Sequence, residues 1–293
     1  MQKNCIMIVN PISGDLDKEE FIEATKQFAQ KEKTHLVVYE TTGKEDEKKI
    51  KQLYAEHLPE RVIVAGGDGT IKMVVEALEE EDVIIGVLPA GSANGLSVDL
   101  GLPEDLEENL EIAFNGDYIE IDVVSINGIK SLHLSDIGVN AELIKNYENS
   151  TIRGKLGYAL QAFNTLSDLG DPFHAKIEAN KKTIETEARM IVIANAQKYG
   201  TGVVINPYGN INDGKFEIVI LKNLDLLVIG RILSGNMPID DDNVVILSTD
   251  KATITTDDPI SFQIDGEYCG AIQHLDVAIL HKQMKVAVPS AVE

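Results

Sequence analysis

The sequence predicts an α/β fold joined to a β-rich one: an N-terminal doubly wound α/β domain over residues 1–122, followed by a C-terminal antiparallel β-rich domain over 123–283. Three observations carry this. Up to Asp122, short β-branched runs alternate with longer amphipathic, charged runs, the pattern of βαβ units in a mostly parallel sheet covered on both faces. Beyond Asp122, strand-like runs follow one another across Gly, Asn and Asp turns, as antiparallel sheets do. The charge also changes there: residues 1–125 hold 11 basic and 27 acidic residues, so they carry −16 of the −22 net charge of the 293-residue chain.

The elements follow in order. Cys5–Val9, Thr34–Tyr39, Arg61–Ala65 and Val83–Leu88 read as buried strands, and helical spacing runs over Asp17–Lys31, Lys44–His57 and Thr70–Glu80 between them. In the second half the expected strands are Val123–Ile126, Ser131–Leu134, Ala175–Ile177, Ala188–Ala194, Lys215–Leu221, Ala252–Thr255 and Ile260–Ile264. Helical stretches over Leu156–Leu169 and Leu224–Leu233 interrupt them, and Asp240-Asp241-Asp242 reads as a solvated turn.

Composition narrows the function. A net charge of −22 repels a phosphate backbone, so no nucleic-acid partner is expected, and it gives no long-range attraction to anionic membranes. Apolar runs fall far short of the roughly 20 residues of a transmembrane span. The N-terminus lacks the apolar length and cleavage site of a signal peptide. Cys5 and Cys269 form neither a disulfide framework nor a metal-ligand spacing, so a reducing, cytoplasmic setting is expected. The six histidines show no i, i+4 pair, and no Walker A loop, strand-to-helix G-x-G-x-x-G, H-E-x-x-H or G-x-S-x-G element occurs.

The strongest local signal is the strand Val62–Ala65 running into Gly66-Gly67-Asp68-Gly69-Thr70 and then a helix. Glycines admit an anion close to backbone amides, and the helix start adds unpaired N–H groups and the positive dipole end. Asp68 is the exception inside such a turn, since a carboxylate beside phosphates suits Mg²⁺ or an acceptor proton, or else serves as a helix N-cap. Pro89-Ala90-Gly91-Ser92-Ala93-Asn94-Gly95 after the next strand, and Asn10-Pro11-Ile12-Ser13-Gly14 after the first, place similar turns at the same sheet edge. In the β half, Asp265-Gly266-Glu267 is either a hairpin tip or a site for a general base. Asn210-Ile211-Asn212-Asp213-Gly214-Lys215 is an acidic turn whose oxygens suit a hard cation.

These motifs, in order and spacing, resemble the diacylglycerol kinase catalytic-domain family, which includes bacterial soluble lipid kinases and is related to sphingosine and ceramide kinases. Arg153-Gly154-Lys155-Leu156-Gly157-Tyr158 and Asn212-Asp213-Gly214-Lys215-Phe216 also look like family segments, so the likeness spans nearly the whole chain. The resemblance implies a nucleotide-binding first domain completed by 284–293, with Met284–Pro289 returning to it as a last strand, and a second domain completing the lipid site. ATP would be contacted by Asn10, Pro11, Ser13 and Gly14, by Thr41 or Thr42, by Gly66, Gly67, Asp68, Gly69, Thr70 and Lys72, and by Gly91, Ser92 and Asn94. Glu267 would accept the proton, a structural Mg²⁺ would be held in the segment of Asn210, Asp213 and Lys215, and the catalytic Mg²⁺ would travel with ATP near Asp68. Lys72, Gly95 and Asn140 depart from the family pattern of Asn, Asp and Asp.

The expected function is therefore ATP-dependent phosphorylation of a lipid hydroxyl, of diacylglycerol or sphingoid and ceramide type, with Glu267 or Asp68 as the base. The expected partner is a lipid at the inner membrane face, visited transiently by a cytoplasmic protein, with a homodimer allowed. The alternatives are an NAD kinase, which shares the Gly-Gly-Asp-Gly-Thr element, and a non-catalytic lipid or nucleotide sensor.

Overall fold

A computed structural model describes residues 3–14, 16–91, 94–148, 171–198, 204–224, 231–232 and 242–290. The chain divides into two compact units, one made of Met1–Asp122 with the chain from His281 onward, the other of the segment between Val123 and Leu280.

In the first unit β1 (Asn4–Val9), β2 (His35–Glu40), β3 (Arg61–Gly66) and β4 (Ile84–Pro89) form a parallel sheet in the order β2-β1-β3-β4. Ile6 lies between Val37 of β2 and Val62 of β3. Side chains alternate across such a sheet, and on one face Cys5, Met7, Val9, Ile63, Ala65 and Leu88 form a core with Phe21, Ile22 and Phe28 of α1 (Lys18–Lys31) and Leu110, Ala113 and Phe114 of α5 (Leu106–Asn115). The Phe28 and Phe114 rings sit 4.9 Å apart. α2 (Asp46–His57) contacts β1, α3 (Asp68–Ala77) contacts β3, and the two helices contact each other. Asp17 and Asp105 cap α1 and α5 by accepting the amides of Glu19 and Glu108. The short α4 (Gly95–Asp99) follows β4.

The second unit starts within β5 (Asp117–Ile126), which turns through Asn127 and Gly128 at φ of 50° and 84° into β6 (Ile129–Ser131). Then come β7 (Leu134–Gly138), α6 (Val139–Glu148), the hairpin of β8 (Phe173–Ala179) and β9 (Lys182–Ala188), β10 (Met190–Ala194), β11 (Phe216–Leu221), β12 (Val244–Thr249), β13 (Lys251–Ile264) and β14 (Glu267–Val288). Their antiparallel order is β12-β11-β10-β7-β13-β14, with β8 and β9 beyond the Ala252–Thr256 part of β13. The last stretch of β14 belongs to the first unit and pairs parallel with β4, Lys285 opposite Ile84 and Val286 opposite Ile85.

Some strand expectations need correction. Ser131–Leu134 is not one strand, because the amides of Leu132 and His133 donate to the Asp265 carboxylate instead of to a ladder. Ala188–Ala194 is two strands divided at Arg189, whose N–H reaches Leu221 and whose carbonyl takes the Val139 amide. Conversely, Ala252–Thr255 and Ile260–Ile264 are one strand, β13, with a register shift over a stretch containing Pro259, which has no N–H to give the ladder. The helix predicted from Thr70 starts at Asp68 and ends at Ala77. The helix over Leu156–Leu169 lies outside the described residues, as do most of Leu224–Leu233 and of Asp240–Asp242. Among the described residues no helix is long and apolar enough to cross a membrane.

Candidate active site

Parallel strands end at a common edge, and β1, β3 and β4 bring the three expected loops together there. Backbone bonds continue the sheet into them: Asn10 N–H to Ala65 O at 3.0 Å, Ala90 N–H to Gly66 O at 3.1 Å and Thr41 N–H to Val9 O at 2.8 Å. Side chains then lock the loops to one another. The Asn10 amide donates to Thr70 Oγ1 at 3.1 Å, and the Ser13 hydroxyl lies 3.0 Å from the carbonyl of Asn10 and 3.3 Å from that of Ala90. Pro11 follows Asn10, whose Oδ1 accepts the Ile12 amide, and Gly14 takes a φ of 60° that suits glycine.

The turn Gly66-Gly67-Asp68-Gly69-Thr70 is built for close approach. A Cβ on Gly66 would stand 2.6 Å from Thr70 Cβ, so glycine is required for the helix to start there. Gly67 is the N-cap of α3 and offers no side-chain cap. Asp68 is the first helical residue of α3 and so is not its N-cap, which is Gly67. Its buried carboxylate accepts the amides of Gly95 at 2.8 Å and Leu96 at 3.2 Å, fixing the start of α4 against the start of α3. Gly91 and Asn94 close their own turn, each accepting from the other at 3.0 Å. Ser92 lies outside the described residues, and Lys72 is half-buried in α3.

Thr41 and Thr42 differ. Thr42 is committed to its own loop, its amide and hydroxyl both donating to Asp46 Oδ1, whereas among the described residues Thr41 spends only its amide, on Val9. Asp46 and Lys18 were not legible as site residues. Lys18 is buried and donates its ammonium to the carbonyls of Ser13 at 2.6 Å and Leu16 at 2.9 Å, so it ties the first loop to α1.

In the second unit Asp265-Gly266 is a two-residue hairpin turn between β13 and β14, with Ile264 opposite Glu267 and φ of 49° and 89° at its central residues. Asp and Gly are the residues that adopt this left-handed pair most readily. The turn is also anchored: the Asp265 carboxylate accepts Ser131 Oγ at 2.9 Å and the amides of Leu132 and His133 at 3.0 Å. Glu267 is exposed at the tip.

Asn210, Asp213 and Lys215 share one turn. Asn210 Oδ1 accepts the Asn212 amide and Asp213 Oδ1 the Lys215 amide. Nearby, the Oδ1 of fully buried Asn206 has no hydrogen-bond partner. An all-oxygen donor set with a single carboxylate fits a hard cation such as Mg²⁺. Among the described residues no three His, Cys, Asp or Glu side chains gather as a metal cluster. The first-unit loops fit a nucleotide triphosphate by their glycine cradle and helix start.

Comparison with known proteins decides the family. Residues 4–126 match the diacylglycerol kinase catalytic domain, and residues 134–288 match the YegS C-terminal NAD kinase beta sandwich-like domain. The chain belongs to the diacylglycerol kinase catalytic-domain family. This family member is 26% identical over 299 residues to a diacylglycerol kinase of Bacillus subtilis, covering 98% of this chain and 97% of that one. It is 27% identical over 237 residues to the lipid kinase YegS of Escherichia coli, covering 78% of each. A crystal structure of a diacylglycerol kinase from Bacillus anthracis superposes with a TM-score of 0.78 at 23% identity, covering 98% of this chain and 97% of that one, and shares the two-domain fold. As a diacylglycerol kinase family member, the protein is a kinase at family level, and such a kinase uses ATP.

Proposed function

We propose that the protein transfers the γ-phosphoryl group of ATP to a lipid hydroxyl, of diacylglycerol or of sphingoid and ceramide type. The observation that carries the reading is the Gly66–Thr70 cradle, tied to the first loop through Asn10 and to the third through Asp68. The relatives named diacylglycerol kinase and lipid kinase support the acceptor class.

In this reading the backbone of Asn10–Gly14, Gly66–Thr70, Gly91 and Asn94 holds the phosphates, Thr41 and Lys72 flank them, and Ser92 joins them by its sequence position between Gly91 and Asn94. ATP with its Mg²⁺ supplies the phosphoryl group and its charge neutralisation. Asp68 keeps the two helix starts in register and is the carboxylate beside the cradle. Glu267 takes the proton from the acceptor hydroxyl. Positioning and charge neutralisation account for most of the acceleration in such transfers, so no covalent nucleophile is required. Asn210, Asp213 and Lys215 hold a second, structural Mg²⁺. The protein meets its lipid by transient docking at a membrane surface, through apolar loop residues or divalent ions instead of a basic patch.

The test is a kinase assay with ATP and extracted membrane lipids, reading phosphorylated product by mass, with NAD as a separate acceptor. A phosphorylated lipid is expected, and Glu267→Gln should lower its formation by about 10²–10⁴-fold, the range for loss of a general base. Phosphorylation of NAD alone would overturn the lipid assignment, and full activity of Glu267→Gln would remove Glu267 from the chemistry.

A further inference from the structure

The tip that carries Glu267 rests on a buried polar chain that the sequence did not single out. Gln263, three residues before Gly266 and 1% exposed, accepts the Gly266 amide on Oε1 at 2.7 Å. Its Nε2 donates to Oδ2 of Asp136 at 2.5 Å. Asp136, in the middle of β7 and fully buried, takes the Asn140 amide on the same oxygen at 2.6 Å. Asn140 stands in the first turn of α6.

Each link has a direction. Asp136 accepts from both amides, so the Gln263 Nε2 faces it and the Oε1 faces the turn, where it accepts the one N–H that Gly266 offers. A side-chain amide is the group that donates at one end and accepts at the other. A carboxylate at position 263 would face Asp136 with oxygen against oxygen, and an apolar side chain would leave both the turn amide and Asp136 without this partner, at the cost of burying polar groups unmatched.

We propose that Gln263 and Asp136 are positioning residues for Glu267: together they fix the Asp265-Gly266 turn from below while Asp265 fixes it from the side through Ser131, Leu132 and His133. This rests on Glu267 being the proton acceptor. A general base works at hydrogen-bond range, and displacement of about 1 Å costs on the order of 100-fold in rate. The chain therefore sets kcat through the turn without touching nucleotide or lipid.

The experiment uses the full chain and two readouts. The first is hydrogen exchange of the Gly266 amide in nucleotide-free protein, which needs no activity. Gln263→Glu and Gln263→Leu should both accelerate it. Pairing Gln263→Glu with Asp136→Asn should restore protection, because the NH2 introduced at position 136, placed where both bonds now meet on Oδ2, can donate one hydrogen to the new carboxylate and the other to Asn140, whose side-chain amide turns to present its oxygen. The second readout is steady-state transfer from ATP to diacylglycerol in phosphatidylcholine vesicles. The single Gln263→Glu variant should lose kcat by about 100-fold with the KM for ATP unchanged, and the paired variant should regain it. Unaltered Gly266 exchange in both single variants would overturn the proposal whatever the activity. Accelerated exchange with unchanged kcat, in a protein that Glu267→Gln inactivates, would overturn the positioning role while leaving the assignment of Glu267 standing. Activity retained by Glu267→Gln would instead overturn that assignment, and the positioning role with it.

Discussion

The carboxylate of Asp46 receives four hydrogen bonds, from the Tyr39 hydroxyl, the Thr42 amide and hydroxyl, and the Gly43 amide. Burial alone would raise its pKa, but these donors, led by the Thr42 amide, hold it below its ordinary value. All of them are local, so Asp46 shapes the loop carrying Thr41 more than it supports the core. A carboxylate whose pKa is lowered by folding adds stability that is present above its unfolded value, near 3.9, and is lost as pH falls through the folded value. Asp46→Asn should therefore cost about 2 kcal/mol at neutral pH, the scale of hydrogen bonds to a charged group. The gap between the two proteins should close in acid. Thermal melts of both from pH 7 to pH 3 would show this, and a gap that widened toward pH 3 would contradict the assignment. No sequence pattern marked Asp46 or Lys18, since each acts on the backbone of a loop whose path only the fold defines.

At the scale of elements, β1, β3 and β4 and the turns after them were legible because buried parallel strands are continuous apolar runs and their loops need glycine. The second unit was less so. The broken run Ser131–Leu134 looks like a strand in residue type, and only the distant Asp265 carboxylate, 132 residues on from His133, explains why its amides turn away from a ladder. The Asp265-Gly266 turn was readable as a hairpin tip, yet its anchoring was not, because Ser131, Gln263 and Asp136 meet through tertiary structure alone. The Gly66 turn joins strand and helix tightly enough to test. Gly66→Ala places a methyl 2.6 Å from Thr70 Cβ and Oγ1, and such overpacking costs about 1–3 kcal/mol. The shift of Thr70 should also break its contact with Asn10 and weaken ATP binding. Urea unfolding should show a lower midpoint with the slope unchanged, and titration with a non-hydrolysable ATP analogue should show the weaker binding. A variant of wild-type midpoint and affinity would mean that the turn has slack.

For the molecule as a whole, the first unit is not a contiguous piece of chain. β14 leaves the second unit at Leu280, and its last residues lie beside β4, where Val286 and Ala287 are fully buried and Met284 nearly so. Asp122, also fully buried, accepts His281 Nδ1 at 2.6 Å and the Lys282 amide at 2.8 Å, while the Lys282 ammonium pairs with Glu120 and that of Lys285 with Asp82. A fragment ending at Asp122 would lose an edge strand, expose the apolar flank of β4 and strip these donors from a buried carboxylate, a combination that costs several kcal/mol against a total stability of only about 5–15 kcal/mol. We therefore expect residues 1–122 alone to lack a cooperative unfolding transition. Fusing residues 281–290 to that fragment through a flexible linker should restore one, and Asp122→Ala in the fused chain should weaken it again. Urea titrations followed by far-ultraviolet circular dichroism would decide the matter. A cooperative transition in the short fragment, at the midpoint of the fused chain, would show that β14 merely leans on the sheet it is taken to complete.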